Sequence, residues 1–419
     1  MFRLAHLSDL HYCPQFLDEV DRCTAAALEG AKAEQVDAIF MTGDQFDRHV
    51  GANSPALLRF SQRVRDAVDY APLFMLQGTL SHDEPGTVSL FRFFGGRHPI
   101  HVSERIEQVA WDGESWIASE GYKFDRIPEG TRLLVTSLPA VNRAEVAARV
   151  GAINVLTQTQ DLVYELLKSF GQINAQANAA GIPTVLATHG TVTGSITEQG
   201  VPMAGLDHEF SLAGLYASEA RAIMLGHIHK YQSWPRGQQC IAYAGSIGRL
   251  HFGEQGDKGW LLWDIGETAT HTQRITPARV MREFTYPGQP DLHELKREAP
   301  TCAGQHVRIR YTLDEEYRHE VNRNEILSWF ETAHLVKIEP RINPILRSRT
   351  EGMAKDLSLS TQLGVWAKAT GTADAGLHER LATLTQQSPD DIVSQLVGLP
   401  AVASTHGETV APTLFQEAA

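Results

Sequence analysis

The chain has 419 residues, a formal net charge of −13 and 42% hydrophobic residues, a length that predicts two or three domains with packed cores. The acidic balance excludes a surface coated in basic residues, so any binding of nucleic acid is expected to be local. The four scattered cysteines exclude a disulfide framework or zinc knuckle and favour a cytoplasmic location, and no apolar stretch has the length of a membrane span or a cleaved leader.

Five short clusters of metal-binding residue types occur within the first 230 residues, and most of them follow a short apolar run. The runs at 3–8, 38–42, 72–77, 183–188 and 221–225 are typical of buried strands, so the clusters are predicted on loops at strand ends. The clusters are, in chain order, Asp9-Leu10-His11, Gly43-Asp44-Gln45-Phe46-Asp47, Ser81-His82-Asp83, Thr188-His189-Gly190 and Gly226-His227-Ile228-His229.

Loops at one edge of a sheet can converge on a single site although their residues are far apart in sequence. Mixed carboxylate and imidazole ligands suit Mn, Fe or Zn, and two such ions can hold a phosphate ester and activate a water for attack on it. One carboxylate must bridge the ions, and Asp44 is the candidate. Each cluster alone is weak, because turn aspartates and solvated histidines are common, but five in order favour a two-metal phosphoesterase.

Residues 18–35, 55–68 and 161–180 have apolar side chains at helical spacing and predict helices that cover a sheet. Residues 221–273 are strand-like with little room for helices. The predicted fold class is α/β, with two sheets packed face to face and flanked by helices.

Beyond a turn-rich joint at 286–290, segments 291–298, 305–312, 322–332 and 335–339 predict helix, strand, helix and strand of a small α+β domain. Three amphipathic helices are then expected at 358–369, 375–384 and 388–399, with too few large apolar residues for a core of their own. Their predicted shared face comprises Leu363, Trp366, Leu377, Leu381 and Leu384. The expected organisation is a first domain at 1–278, a second at 279–345, a helical segment at 346–405 and a frayed tail at 406–419.

The order of the five clusters resembles the calcineurin-like metallophosphoesterases. Within them, the chain is similar to the nuclease subunits of bacterial SbcCD-type DNA repair complexes. That similarity extends over Ala242-Tyr243-Ala244-Gly245-Ser246, Phe252-Gly253-Glu254, Lys258-Gly259, and residues 306–311, 336–340 and 347–349. The resemblance implies a metallophosphoesterase sandwich, a capping domain at 279–345 that guides DNA, and a tail that binds the coiled coil of an SbcC-type ATPase. It also implies a homodimer of the nuclease subunit.

The same resemblance implies the ligands of two divalent ions, which we expect to be Mn²⁺. Asp9, His11, Asp44 and His229 would hold the first ion. Asp44, His189, His227 and a residue of the third cluster would hold the second. His82 would protonate the leaving oxygen, with Asp47 orienting its ring, a task suited to a side chain whose pKa is near neutrality.

The third cluster departs from the family pattern. The family reads Gly-Asn-His-Asp or Gly-Asn-His-Glu, whereas this chain reads Gly78-Thr79-Leu80-Ser81-His82-Asp83, with two additional residues. Ser81 is expected in place of the asparagine ligand, and a hydroxyl is a weaker ligand than an amide oxygen. The alternative is that Ser81 only caps the turn.

Six basic residues in the C-terminal part are candidates for DNA contact: Arg308, Arg310, Lys337, Arg341, Arg347 and Arg349. A solvated face or ion pairs with the abundant acidic residues would explain them equally well.

The sequence thus predicts a two-metal DNA exonuclease and endonuclease in DNA end processing and repair that works with an ATPase. One alternative is a phosphoesterase acting on a small nucleotide or a phosphoprotein. A second is a DNA-tethering subunit whose metal site has weakened, for which the altered third cluster is the only hint.

Overall fold

The structure is a computed structural model that describes residues 1–140, 155–197, 209–254, 256–344, 358–372 and 376–397, with the backbone alone at 155–161. The expected basic residues Arg347 and Arg349 and the frayed tail lie outside the described residues. Within the described part of the chain, no helix is long and apolar enough to cross a membrane.

The strands are β1 (Phe2–Leu7), β2 (Ala38–Thr42), β3 (Leu73–Leu76), β4 (Ile100–Ser103), β5 (Glu107–Trp111), β6 (Trp116–Ala118), β7 (Leu133–Leu138), β8 (Thr184–His189), β9 (Thr191–Val192), β10 (Glu209–Phe210), β11 (Ala222–Gly226), β12 (Gln232–Arg236), β13 (Gln239–Tyr243), β14 (Gly259–Ile265), β15 (Ala269–Ile275), β16 (Met281–Tyr286), β17 (His306–Asp314) and β18 (Leu335–Asn343). The helices are α1 (Leu17–Ala33), α2 (Pro55–Tyr70), α3 (Val155–Ala179), α4 (Leu212–Ala217), α5 (Leu292–Glu298), α6 (Arg323–Trp329), α7 (Leu359–Thr370), α8 (Leu377–Gln386) and α9 (Pro389–Val397).

Two mixed sheets form the centre of the described fold. The first has the strand order β15-β14-β1-β2-β3-β4, and β1 to β4 are parallel. The second has the order β12-β13-β11-β8-β7-β5-β6, with β13, β11, β8 and β7 parallel. The parallel strands are nearly continuous apolar runs because both of their faces are covered.

The two sheets pack face to face through a buried apolar layer. Phe40 and Phe74 of the first sheet stack with their ring centroids 5.1 Å apart, and Val185 and Met224 of the second sheet belong to the same cluster. Burying one such side chain contributes about 1.5–3 kcal/mol. The layer fixes the two sheets against each other and therefore fixes the loops at their edges.

Helices cover the outer faces of both sheets. Phe60 and Val64 of α2 pack with α1 on the first sheet, while Leu167 of α3 and Leu215 of α4 pack on the second. The predicted α/β class, with two sheets flanked by helices, is confirmed. The three predicted helices in this part correspond to α1, α2 and α3, and α3 begins six residues before the predicted start at 161.

The small α+β module contains a three-stranded sheet in the order β16-β17-β18, together with α5 and α6. β16 is not among the predicted strands; it lies before the turn-rich joint and pairs in parallel with β17, from Met281 opposite His306 to Tyr286 opposite Tyr311. The other predicted elements are present, although α6 ends at Trp329, before the predicted end at 332.

The chain forms two compact units. One comprises Met1–Leu313 and His319–Arg341, and the other comprises Asp314–Arg318 and Ile342–Ala419. The first unit thus includes most of the segment expected as a separate capping domain, and the boundary at 278/279 stays a prediction. In the second unit, α7, α8 and α9 leave Trp366, Leu384 and Leu396 exposed.

Candidate metal centre

The metal-binding clusters lie at the carboxyl ends of parallel strands. Asp9 follows β1, Asp44 follows β2, His189 ends β8 and His227 follows β11. Beyond β1 and β2 the chain continues to pair, since Asp9 N donates to Gly43 O (3.1 Å) and His11 N donates to Asp44 O (3.0 Å). This pairing holds the first two ligand loops side by side.

Four residues of these clusters have a backbone conformation that is rare for residues other than glycine. The φ angles are +50° at Asp9, +52° at His11, +52° at Asp44 and +101° at His227. Such conformations cost about 1–3 kcal/mol each and persist only where the surroundings enforce them. The surrounding structure therefore holds the loops in the backbone conformation that brings these side chains to the cluster.

Close approach of the loops requires glycine at Gly78 and Gly226. A Cβ atom at Gly78 would overlap the backbone nitrogen of Asp44, and one at Gly226 would overlap the carbonyl oxygen of Thr42. Gly78 therefore lets two loops of the first sheet approach each other closely, and Gly226 lets the second sheet approach the first.

Three of the four residues expected to hold the first ion are brought together. Ligand atoms of Asp9, His11 and His229 all lie within 4.8 Å of one another. The Nε2 atoms of His11 and His229 are 2.9 Å apart. That spacing fits two nitrogen ligands on one ion at bonds of about 2.0–2.1 Å. Burial lowers the pKa of His11 to about 3, so its ring is neutral and offers a lone pair.

The residues expected to hold the second ion form another group, because ligand atoms of Asp44, His189 and His227 also lie within 4.8 Å of one another. His189 Nδ1 is 2.8 Å from the carbonyl oxygen of Thr42, which can only accept, so Nδ1 carries the proton. His189 Nε2 then faces Asp44 Oδ2 at 3.2 Å. A carbonyl that fixes the tautomer in this way is typical of metal-binding histidines.

Asp44 belongs to two of the groups, the second being the one it forms with His11 and His82. Burial opposes its charge, but the charge of His189 and its hydrogen bond hold the pKa of Asp44 well below the ordinary value. Burial, against the attraction of His189, raises the pKa of Asp9 to about 6. A buried, ionised carboxylate shared by two groups of candidate ligands fits the expected bridge between cations.

Asp83 connects the second and third ligand loops. Its Oδ1 accepts from Gln45 N (2.9 Å) and Phe46 N (3.3 Å), and its Oδ2 accepts from Gly78 N (2.9 Å). Burial, followed by the charge of Asp44, raises the pKa of Asp83 to about 8. Both oxygens accept hydrogen bonds from backbone amides, so Asp83 positions the second and third ligand loops relative to each other.

The expected pair of His82 and Asp47 is in contact, but through the main chain. His82 Nδ1 is 2.5 Å from the carbonyl oxygen of Asp47. The Asp47 carboxylate points elsewhere, with Oδ1 3.8 Å from His11 Nδ1. The ring of His82 lies edge-on to that of His11, with 4.9 Å between centroids.

Thr79, which the sequence reasoning passed over, lies where Ser81 was expected. Thr79 N donates to Asp44 Oδ1 (2.6 Å), and its Oγ1 is 3.3 Å from His189 Nε2. Ser81 is exposed. The sequence signal for Thr79 is its position directly after Gly78, because the asparagine of the family pattern also directly follows a glycine.

A buried ion pair behind His229 was also missed. Lys258 Nζ is 2.5 Å from Glu254 Oε2, and the two side chains are 1% and 0% exposed. Lys258 also donates to His229 O (3.0 Å) and to Ser246 Oγ (2.8 Å). These residues belong to the segments that carry the nuclease resemblance.

Most of the described basic residues proposed for DNA contact are paired with carboxylates. Arg308 binds Glu283 and lies over the ring of Phe252, with 4.6 Å from its guanidinium carbon to the ring centroid. Arg310 and Lys337 pair with Glu339, at 3.2 and 2.5 Å. Arg341 is exposed. Ion pairs across the strands therefore account for much of this basic stretch.

The model of the calcineurin-like phosphoesterase family matches residues 2–231. The chain belongs to this family. The match covers the five clusters and both groups of ligands, so the protein is a metal-dependent phosphoesterase that uses divalent metal ions.

Three solved structures are similar to this chain over about two thirds of its length. GAP50, the anchor in the inner membrane complex of Plasmodium, has 13% identity and a TM-score of 0.39, with 66% of this chain and 89% of that chain covered. A dimetal phosphatase from Danio rerio has 10% identity and a TM-score of 0.38, with 65% and 98% covered. A predicted phosphoesterase from Streptococcus pneumoniae has 13% identity and a TM-score of 0.22, with 65% and 98% covered. No curated protein sequence matches the chain.

Proposed function

We propose that this phosphoesterase is a DNA exonuclease and endonuclease subunit of the SbcD type that processes DNA ends with two divalent ions, most simply Mn²⁺. The observation that carries the proposal is the contact of Ser246 and Lys258 with His229. Ser246 N and Lys258 Nζ both donate to His229 O, at 3.2 and 3.0 Å. Residues that resemble this nuclease group thus support a metal-binding histidine.

The ligand assignment within the proposal follows the two groups of side chains. Asp9, His11 and His229 would hold one ion, His189 and His227 would hold the other, and Asp44 would be shared between them. When bound, the ions activate a water and stabilise charge on the phosphoryl oxygens. His82 donates a proton to the leaving oxygen through Nε2, because its Nδ1 is engaged with the Asp47 carbonyl.

The C-terminal part supports a substrate larger than a small nucleotide. The module of β16, β17 and β18 carries Arg310, Lys337 and Arg341 on partly exposed positions, and we assign DNA contact to these side chains and to Arg347 and Arg349. The paired glutamates reduce the local positive charge, so DNA must compete with them. A phosphoesterase for a small nucleotide or a phosphoprotein would not need this module.

Cleavage assays test the substrate class. The wild-type protein is incubated with linear and hairpin DNA, with and without Mn²⁺, beside a phosphomonoester and a cyclic nucleotide. We expect Mn²⁺-dependent cutting of DNA that Asp44→Asn abolishes, because the amide removes the charge shared by both groups. Hydrolysis of the small substrates alone would favour the first alternative. Binding of DNA without hydrolysis of any of these substrates would favour a DNA-tethering subunit.

The proposed partner is an SbcC-type ATPase, bound in the cytoplasm by a homodimer of this chain through α7, α8 and α9. Apolar side chains on these helices are exposed: Leu359 at 61%, Leu384 at 67%, Leu396 at 81% and Val397 at 64%. Short helices with such faces need another surface to bury them.

Truncation after Arg349 tests this assignment. The shortened chain should fold, bind metal and cut short single-stranded DNA, because the metal ligands all precede Lys230. It should fail to bind the ATPase in pull-down and lose ATP-stimulated cutting of duplex ends. Continued assembly with the ATPase would place the interface elsewhere, and an unfolded product would assign the helices to the core.

A further inference from the structure

The third ligand loop, from Gly78 to Asp83, accommodates its two additional residues in a turn. His82 N and Asp83 N both donate to the carbonyl oxygen of Thr79, at 2.9 and 2.8 Å. Leu80 and Ser81 form the tip of this turn, and Ser81 is exposed. The additional residues are therefore taken up between Thr79 and His82, so both of these residues can lie at the cluster.

Thr79 touches the second group of ligands with its backbone and its side chain. Its amide donates to Asp44 Oδ1 at 2.6 Å, which leaves Asp44 Oδ2 facing His189. Its hydroxyl oxygen is 3.4 Å from Asp44 Oδ2 and 3.3 Å from His189 Nε2. The hydroxyl thus lies beside two atoms of the residues that the proposed function assigns to the second ion.

Movement of Thr79 away from this position is restricted by the residues on either side. Gly78 lies against Asp44 with no room for a Cβ atom, and its amide is held by Asp83 Oδ2 at 2.9 Å. Asp83 is itself buried and bound to the loop that carries Asp44. The hydroxyl is therefore preorganised, which is what a ligand position requires.

We propose that Thr79, through its hydroxyl oxygen, is the third-cluster ligand of the second ion, and that this ion binds more weakly than the first. The inference rests on the proposed two-metal function. Manganese favours oxygen ligands that are charged or strongly polar, and a neutral hydroxyl is a poorer donor than the amide oxygen that the family uses. The residues assigned to the first ion include no such replacement of an amide ligand by a hydroxyl.

Titration of the metal-free full-length protein with Mn²⁺ tests the inference without an activity assay. Calorimetry gives the number and affinity of the sites, and electron paramagnetic resonance reports the coupling between two neighbouring Mn²⁺ ions. We expect two unequal sites in the wild type. Thr79→Val keeps the backbone donor but removes the hydroxyl, so the second site should weaken by about tenfold or more while the first is unchanged.

Three further variants separate a ligand from a structural role. Thr79→Ser keeps the hydroxyl and should retain both sites. Thr79→Asn should tighten the second site, a gain that misfolding does not produce. Ser81→Ala, on the same turn, is the matched control and should leave both affinities unchanged.

Two outcomes would overturn the inference. Unchanged affinities in Thr79→Val would remove Thr79 from the ligand set, and weakening by Ser81→Ala would transfer the role to Ser81. In both cases the two-metal function would still stand. A wild-type protein that binds a single Mn²⁺ ion would instead contradict the two-metal function, and the assignment of Thr79 with it.

Discussion

His82 is bound to the main-chain oxygen of Asp47 and not to its carboxylate, at 2.5 Å from Nδ1. A carbonyl oxygen only accepts, so Nδ1 carries a proton and Nε2 remains for proton transfer. The carboxylate of Asp47 instead lies 3.8 Å from His11 Nδ1 and 3.5 Å from Arg48 Nε. The two residues consequently have separable roles.

His82→Ala should slow hydrolysis by about 10²–10⁴-fold, which is the usual contribution of a general acid. Its metal content should remain that of the wild type, measured by elemental analysis of the purified protein. A loss of metal would instead make His82 a ligand, as its place in a group with His11 and Asp44 allows.

Asp47→Asn should reduce the rate by less than about tenfold, or about 1.4 kcal/mol in the barrier, since the main-chain acceptor of His82 is retained. The comparison is made at saturating Mn²⁺ beside His82→Ala. A loss as large as that of His82→Ala would show that the carboxylate is needed in catalysis.

Divalent metal should stabilise the protein, because carboxylates and imidazoles are crowded in one buried cluster. A metal that binds only the folded state at about 100 times its dissociation constant adds about 2.7 kcal/mol. The melting temperature should therefore rise with added Mn²⁺ and return on addition of a chelator. Asp44→Asn should show a much smaller rise, and an equal rise would indicate binding elsewhere.

Lys258→Met should lower the free energy of unfolding by about 3–5 kcal/mol, because it leaves the Glu254 carboxylate buried without its cation. The double variant Lys258→Met with Glu254→Gln should recover part of this loss. Denaturant unfolding of the wild type, the single variant and the double variant measures these differences in the free energy of unfolding. If the single variant were as stable as the wild type, the ion pair would have no structural role.

Asp21 links α1 to α2 and makes stability depend on pH. Its Oδ1 accepts from Arg63 Nε (2.8 Å) and its Oδ2 from Arg59 Nη1 (2.9 Å). Burial opposes the charge, but the hydrogen bonds from Arg63 and Arg59 bring the pKa of Asp21 below its ordinary value. Its contribution is thus fully present above the unfolded pKa of about 3.9 and is lost as pH falls through the folded pKa.

Asp21→Asn should therefore lower the free energy of unfolding by about 1–3 kcal/mol at pH 7, and the difference from wild type should shrink below about pH 4. Urea unfolding across this range measures it. Asp66→Asn, which removes a more exposed partner of the same Arg63, is the control and should have little effect. A difference independent of pH would rule out the charge of Asp21 as its cause.

The candidate metal ligands could be predicted from the sequence because most of them follow an apolar run at a strand end. Asp9, Asp44, His189 and His227 needed only the strands and their parallel order to be correct. Helices α1 and α2 were likewise predicted from their apolar spacing. These features depend on local pattern, which a single sequence displays directly.

The features that were missed depend on distant contacts or on the path of a loop. β16 has charged and apolar residues mixed, and it becomes a strand by pairing with β17. The basic residues Arg308 and Arg310 are balanced by Glu283, which only the register of those strands brings beside them. Ser81 directly precedes His82 in the sequence, as the asparagine of the family pattern precedes its histidine, whereas the turn places Thr79 beside Asp44 and His189.

The left-handed backbone at Asp9, His11 and Asp44 limits how far this protein can be stabilised without loss of its candidate metal ligands. Glycine at any of the three would relieve unfavourable backbone geometry and would simultaneously delete a candidate ligand. A screen that selects only for heat resistance in the absence of metal can therefore accept such replacements and yield robust but inactive proteins. Selection in the presence of Mn²⁺ would reject such replacements, because binding of the ion stabilises only a protein that keeps these ligands and their unfavourable backbone geometry.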